Sequence, residues 1–551
     1  MNTKNPSLIV SLTLASCVQF AHGQGIATSP LQGGTTLQAP VQNGLATGSS
    51  TSQANPLNKP QPGGPTVNVS TIRFVGNTLL NADTLSASLG EATGKPYDLH
   101  GMWQLAEMVE IAYRQRGYPF TQAWIEPQNL ENGNLTITVL EGRYGKITVV
   151  EKGDLPEGAQ AFLDEELHPG EPIQSNQLER VLLLLDDQPG VKVQPLLRPG
   201  NQKGEGDLIA DVQRLSNVSG EVGLDNIGSK STGLYRTRGT VNINSPFTFG
   251  DRITMSGMYT SENMFLGSAE YDTPLNASGL RGGMGYAHTS YVLGGDFAAL
   301  GGKGIADITN LRLSYPILRS QISNLWASIG VQHKKLHDQY EAIPLDRFKM
   351  SNSVPISLQF DHRDLLGGGG ITYGFMTWTT GQLHLDGSTA VGDAQSALTQ
   401  GNWQKWNLDI ARIQNLPGDW RLYGRLSSQW SSKNLDPSEK MGVAGFYGVR
   451  AYPMGESMSD QATMGQLELR YLVGAWTPFV FYDSARAEIN RSPWTSSAAN
   501  VRQLAARGLG IRYQEDGWSL DSSLAWSALG GPAVSETDRS PRFFVMLTKK
   551  F

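Results

Sequence analysis

Cysteine is almost missing: the 551 residues hold one, Cys17. It can form neither an intrachain disulfide nor a thiolate metal site. Long apolar runs are missing too. Beyond the N-terminus no stretch of about 18 apolar residues occurs, so no transmembrane helix is expected. Positive charge is not in excess, since 44 Lys and Arg stand against 50 Asp and Glu for a formal net charge of −6. No broad basic field exists for nucleic acid, and no such partner is expected. Catalytic signatures are absent as well. There is no Gly-x-Ser-x-Gly, no His-Glu-x-x-His and no phosphate-cradling glycine loop ending in Lys-Ser/Thr. No enzyme activity and no cofactor are therefore expected. His333 and His337 have the spacing of helical ligands but fall at a strand end, so metal is not expected either. Gly367 to Gly370 read as a turn before a strand.

What remains is glycine-rich (63 Gly) and sparing in charge, at 17% charged residues, with a mean hydropathy of −0.29. A transmembrane barrel has such averages, because lipid-facing and lumen-facing residues alternate along each strand. The first residues resemble an export signal over 1–23. Lys4 supplies the charge, Ser7 to Phe20 the apolar stretch, and Ala21-His22-Gly23 the small residues before Gln24. Leu14-Ala15-Ser16-Cys17 also fits a lipoprotein cleavage box, which would leave a lipidated Cys17. From 24 to about 66 the chain is Gly, Ser, Thr, Gln, Asn and Pro, a composition too poor in apolar residues to order. No amphipathic helix of useful length is visible in it.

The texture changes at Val67. Val69, Ile72, Phe74 and Val75 predict a strand and Leu85 and Leu89 a short helix. Met102, Leu105, Met108, Val109, Ala112 and Arg116 predict a longer helix stopped by Gly117. Strands over Thr121–Glu126 and Leu135–Val139 follow. The order β-α-α-β-β then repeats. Ile147–Val150 is a strand and Ala159–Leu167 a helix, and after a Ser175 N-cap Leu178, Val181, Leu182 and Leu185 form a helical stripe. Two strands, Val191–Leu197 and Asp207–Gln213, complete it. Two such copies, over 67–144 and 145–215, are an internal repeat of α+β modules.

From 216 to 551 helical periodicity gives way to alternation. Trp420, Leu422, Leu426 and Trp430 share one face, and Arg421, Tyr423, Arg425 and Gln429 the other. Leu467, Leu469 and Tyr471 oppose Gln466, Glu468 and Arg470 in the same way. Ile253, Met255 and Tyr259 oppose Arg252, Thr254 and Ser256. Trp at both ends of an apolar face fits two aromatic girdles. About sixteen strands are predicted, near 217, 235, 251, 264, 280, 304, 321, 353, 371, 403, 419, 462, 476, 500, 517 and 540. A soluble sandwich or propeller is the competing architecture, but its core would not explain opposite faces this polar. The chain also ends on a strand and an aromatic, Phe551. Between two well-formed strands lies a Gly-rich, weakly periodic stretch, Met441–Asp460, containing Gly448-Val449-Arg450-Ala451-Tyr452-Pro453. It is either a solvated surface loop or a functional one.

Four stretches carry a family resemblance: Arg116-Gly117-Tyr118 with Val139-Leu140-Glu141-Gly142, then Leu224 to Gly233, Gly448 to Pro453, and Phe479 to Asp483. They resemble the outer-membrane transporters of two-partner secretion (TpsB), the haemolysin secretion/activation family, over nearly the whole mature chain. The resemblance implies a mainly β fold: a 16-stranded antiparallel transmembrane β-barrel preceded by two periplasmic POTRA modules. It implies that the loop after the eleventh strand folds into the lumen, where Arg450 pairs with Asp483. Gly448, Val449, Tyr452 and Phe481 belong to the same lock. Alternation agrees, since Phe479, Phe481 and Asp483 share one face and Trp476, Pro478 and Val480 the other; a carboxylate facing lipid would be costly. The implied function is an outer-membrane pore that recognises a secreted exoprotein with an N-terminal secretion domain through its modules. It would pass this partner unfolded and without ATP, as a monomer in outer-membrane lipid. An outer-membrane barrel-assembly or insertase factor is the alternative, although such relatives carry three to five modules; a passive porin would need none. Three departures stand out. Ala451 replaces the usual Gly, no plug helix shows in the linker, and Lys549 sits where the terminal strand prefers an apolar residue.

Overall fold

The computed structural model describes residues 60–342, 345–495 and 499–551. The expected export signal, Cys17 and the linker up to residue 59 lie outside the described residues. What is described forms two compact units that divide at Leu215 and Ser216, with Phe247–Phe249 grouped with the first.

In the first unit, strands β1 (Val67–Val69) and β2 (Thr71–Val75) precede helix α1 (Ala82–Leu89) and strand β3 (Lys95–Tyr97). Helix α2 (Leu99–Gln115) and strands β4 (Gln122–Trp124) and β5 (Asn134–Leu140) follow. The helices start where the sequence supplies caps: Asn81 Oδ1 accepts from Thr84 N at 2.8 Å and Asp98 Oδ1 from Gly101 N at 2.7 Å, each satisfying an otherwise orphaned donor. Leu105, Val109, Leu135 and Ile137 meet in the core, each worth about 1.5–3 kcal/mol when fully buried. Met108 departs from the expected stripe. It is exposed, and Ala106 and Tyr113 are buried instead.

The second module has β6 (Arg143–Lys152), α3 (Ala159–Asp164), α4 (Ser175–Asp186), β7 (Val191–Pro199) and β8 (Glu205–Arg214). Its sheet order, β6-β8-β7, matches β2-β5-β4, and in each the first strand runs parallel to the last. Ser175 is not the N-cap of α4; Gln174 occupies that position. The backbone N–H of Ser175 donates to the Gly117 carbonyl at 2.9 Å, and Gln174 Nε2 donates to the Tyr118 hydroxyl at 3.0 Å. The Arg116-Gly117-Tyr118 stretch therefore joins the two modules.

Beside this joint, Glu141 organises the interior of the first module. Its Oε1 accepts from Thr78 N at 2.7 Å, Leu79 N at 2.7 Å and the Tyr113 hydroxyl at 2.8 Å. Burial alone would raise this carboxyl, but the hydrogen bonds from Thr78, Leu79 and Tyr113 hold it below its ordinary 4.5. A depressed folded-state value means that this stabilisation is complete above pH 4.5 and is lost as pH falls through the folded value beneath it. Glu141→Ala is expected to cost the first module about 1–3 kcal/mol by orphaning these donors. The check is faster amide hydrogen exchange around Thr78 and Leu79 in the full-length chain at pH 7. Unchanged exchange there would refute this role.

The second unit is a closed antiparallel barrel of sixteen strands. They are β9 (Val218–Asp225), β10 (Arg236–Asn244), β11 (Arg252–Thr260), β12 (Phe265–Pro274), β13 (Arg281–Val292), β14 (Gly302–Arg319), β15 (Ser323–Tyr340) and β16 (Leu345–Asp364). Then come β17 (Gly370–Leu385), β18 (Gly401–Asn415), β19 (Trp420–Ser431), β20 (Gln461–Tyr471), β21 (Trp476–Glu488), β22 (Val501–Glu515), β23 (Trp518–Leu529) and β24 (Arg542–Lys550). Outward positions such as Leu426, Leu467, Val480 and Leu509 are exposed and apolar, the surface that a lipid bilayer covers. Among the described residues no helix is long and apolar enough to cross a membrane.

Aromatic residues mark both ends of the apolar band. Trp420 packs on Tyr471 at 4.8 Å and Trp476 on Tyr513 at 4.6 Å at one end. Trp378 lies 6.2 Å from Trp406 at the other. Lys549 belongs to the first end. Its Nζ lies 5.1 Å from the Trp518 ring centroid and donates to the Asp516 carbonyl at 2.6 Å. The aliphatic stem lies along the apolar face while the charge reaches the turn, so a lysine is tolerated there. His333 and His337 lie within β15 rather than at its end. They have separate partners, Asn352 Oδ1 at 2.6 Å and Asp346 Oδ1 at 2.5 Å.

Candidate functional site: a loop held inside the barrel

The connection from β19 to β20, residues 432–460, does not stay at the surface. It lies against the inward faces of strands from both halves of the barrel. Its tip is self-supporting: Val449 N donates to Val443 O at 2.8 Å, Gly445 N to Tyr452 O at 3.1 Å and Gly448 N to Gly445 O at 3.0 Å. Gly448 is required by close approach, because a Cβ there would fall 2.4 Å from the Val443 carbonyl oxygen. Ala451 keeps a backbone that any L-residue adopts, so the missing glycine costs the turn nothing.

That tip presents Arg450, which is 3% exposed, to Asp483, which is 0% exposed. Nε donates to Asp483 Oδ2 at 2.8 Å and Nη2 to Oδ1 at 2.7 Å. The Arg450 backbone N–H adds a bond to Oδ2 at 3.2 Å. The third nitrogen, Nη1, donates to Glu468 Oε1 at 2.7 Å. An always-charged planar fork suits this task, since it serves one carboxylate with two nitrogens and a second carboxylate with the third.

The guanidinium also lies over aromatic rings. Its Cζ is 3.5 Å from the Phe481 ring centroid and 5.8 Å from that of Phe479, an attraction strengthened by desolvation. Room for those rings comes from the neighbouring strand. Gly508 and Gly510 stand directly opposite Phe481 and Phe479, and a Cβ at either would fall 2.4 or 2.2 Å from the ring's Cζ. Val449 is fully buried. Tyr452 anchors the tip's other flank, its hydroxyl 2.7 Å from Leu529 O and 2.8 Å from Ser527 Oγ.

All six residues singled out in the sequence, Gly448, Val449, Arg450, Tyr452, Phe481 and Asp483, thus meet in one site. Glu468 was missed as a partner of Arg450. It is shared further: Arg512 Nη1 donates to Oε2 at 2.9 Å and Arg470 Nε to Oε2 at 2.8 Å. Arg512 in turn reaches Asp521 at 2.7 Å. Three arginines and three carboxylates therefore balance where the loop tip meets the wall. Arg450, Glu468 and Asp483 are buried and Arg470, Arg512 and Asp521 partly buried, so the buried charges are spared the cost of being unpaired. The signal was available, because Glu468 already stood on the polar face of its strand.

The arrangement holds no nucleophile-and-base pair, and among the described residues no cluster of His, Cys, Asp and Glu could hold a metal ion. What it can do is fix a loop across a pore.

Comparisons with known proteins show the chain's family and fold. A family model described as haemolysin secretion/activation protein ShlB/FhaC/HecB matches residues 204–513, and the ShlB-type POTRA domain matches residues 67–142. The chain is similar to the heme/hemopexin transporter protein HuxB of Haemophilus influenzae (strain 86-028NP), at 24% identity over 454 residues covering 80% of each chain. It is similar to the outer membrane transporter CdiB of Dickeya dadantii (strain 3937), at 25% identity over 485 residues, 85% of this chain and 80% of that one. The solved CdiB from Escherichia coli aligns over 100% of both chains with a TM-score of 0.70 at 19% identity, a likeness of fold.

Proposed function

The chain belongs to the haemolysin secretion/activation family, and from that premise we propose that it exports a partner exoprotein across the outer membrane, recognising it in the periplasm through POTRA modules. The family is one of outer-membrane transporters with periplasmic POTRA domains. In this reading the modules span 67–144 and 145–215 and the barrel 216–551. The partner enters unfolded, and no ATP is spent, its own folding outside supplying the drive. Sheet edges β2, β4, β6 and β7 are the surfaces onto which an extended segment can add as a strand.

The single observation that carries the reading is the buried Arg450–Asp483 pair at the tip of a loop inside a barrel. A barrel of sixteen strands is too wide for its own wall side chains to fill and would by itself leave an aqueous channel. Bringing in a loop on a charged pin suits an element that keeps the pore obstructed until cargo arrives. The chain acts as a monomer in outer-membrane lipid, with Gly448, Val449, Tyr452 and Phe481 positioning the pin. Deleting the gene tests the reading: a large exoprotein should accumulate in the periplasm and vanish from the medium. Unchanged export of every secreted protein would overturn it.

A further inference from the structure

We propose that Asp436 and Glu439 are positioning residues for the same loop, forming with Lys334, Lys349 and Lys405 a second charged latch that must open for cargo to pass. The proposal rests on the reading of the loop as the element that obstructs the pore. At the Arg450 pin the loop supplies the cation and the wall the carboxylates. At this second point the polarity is reversed. Glu439 Oε1 meets Lys334 Nζ at 2.5 Å and its Oε2 meets Lys405 Nζ at 2.8 Å. Asp436 Oδ2 meets Lys349 Nζ at 2.9 Å. The five side chains are all buried within the barrel.

The acidic turn is built to hold this geometry. Pro437 begins the short 3-10 turn Pro437–Glu439, and Asp436 Oδ1 accepts from Ser438 N at 3.0 Å. One carboxylate oxygen caps the turn while the other meets the wall. The two anchors also lie at different depths. Lys405 stands opposite Ser431, the last residue of β19. Asp483 stands opposite Gln466, which pairs with Arg425. Six residues of β19, roughly 20 Å at about 3.3 Å per residue, separate the two levels. The lysines therefore hold the root of the loop and Arg450 its tip.

These anchors differ in how they let go. Arg450 is forked across two carboxylates and lies over rings, whereas each lysine meets its carboxylate as a point charge on a flexible four-carbon stem. When a polypeptide needs the lumen, the lysine latch is the side that opens, and the loop swings while Arg450 stays docked.

The experiment ties the latch shut. In a full-length Cys17→Ser background, Lys334→Cys with Glu439→Cys is joined by a short cleavable bismaleimide, and export is followed before and after cleavage. Export should be lost in the tethered protein and return on cleavage. Export by the tethered protein at the untethered level would overturn the proposal. A companion measurement uses Asp436→Asn with Glu439→Gln in planar bilayers. Freed lysines should raise the open fraction and move the reversal potential toward anion selectivity. A reversal potential and open fraction identical to those of the parent would also overturn it. Arg450→Ala run alongside separates the two levels. If it blocks export while the tether does not, the latch alone fails; if it exports normally, the underlying reading fails.

Discussion

Arg450→Ala is expected to abolish export while the barrel still inserts into the outer membrane. The substitution removes three side-chain hydrogen bonds and the cation over Phe481, while the backbone N–H bond to Asp483 can persist. Breaking a buried pair by deleting one partner costs about 3–5 kcal/mol, because the other charge stays buried. At about 1.4 kcal/mol per tenfold change, the docked loop loses roughly a hundredfold or more in population. Barrel insertion should survive, since Arg450 belongs to a connection and contributes no rung to the sixteen-strand ladder. Asp483→Ala should match it from the other side, leaving Arg450 with Glu468 alone. Arg450→Lys should not rescue, because a point charge cannot serve Asp483 through two nitrogens and Glu468 through a third. Exoprotein in the medium, set against folded barrel in membrane fractions, is the measurement. Normal export by both alanine variants would sink the lock.

Deleting Val67 to Gln213 should leave a channel that conducts ions but exports nothing. The modules form a compact unit apart from the barrel, with their own core around Leu105, Leu135 and Ile137. The barrel closes on itself through β9 and β24. Loss of export to background, with conductance retained, is the expected result, and persistent export would refute recognition by the modules. If assembly of unrelated outer-membrane proteins failed instead, the barrel-assembly reading would replace export.

Much of the fold was legible because its signal is local. Each barrel strand alternates between lipid and lumen, so a period of two residues is written into every segment independently of its neighbours. All sixteen expected positions fall on or beside an observed strand, from β9 at Val218 to β24 at Arg542. The largest displacement is β16, expected near 353 and beginning at Leu345. Past the membrane band lipid no longer selects apolar residues, so alternation fades while hydrogen bonding continues. The pair β1–β3 was not foreseen either. Its strand Lys95-Pro96-Tyr97 contains a proline, which argues against a strand except at an edge.

The loop divides the two kinds of information. Sequence alone placed Asp483 and Phe481 on the inward face and marked residues 441–460 as an aperiodic insert; the pairing with Arg450 came from family resemblance. Only the tertiary structure shows Glu468 taking the third nitrogen, Gly508 and Gly510 making room for the rings, and Lys334, Lys349 and Lys405 meeting the acidic turn. The reason is physical. Strand alternation is imposed by the surroundings on each residue separately. The loop has no period of its own, and it is held by charges carried on strands up to a hundred or so residues away, such as Lys334 and Glu439, whose meeting depends on the closure of the whole barrel.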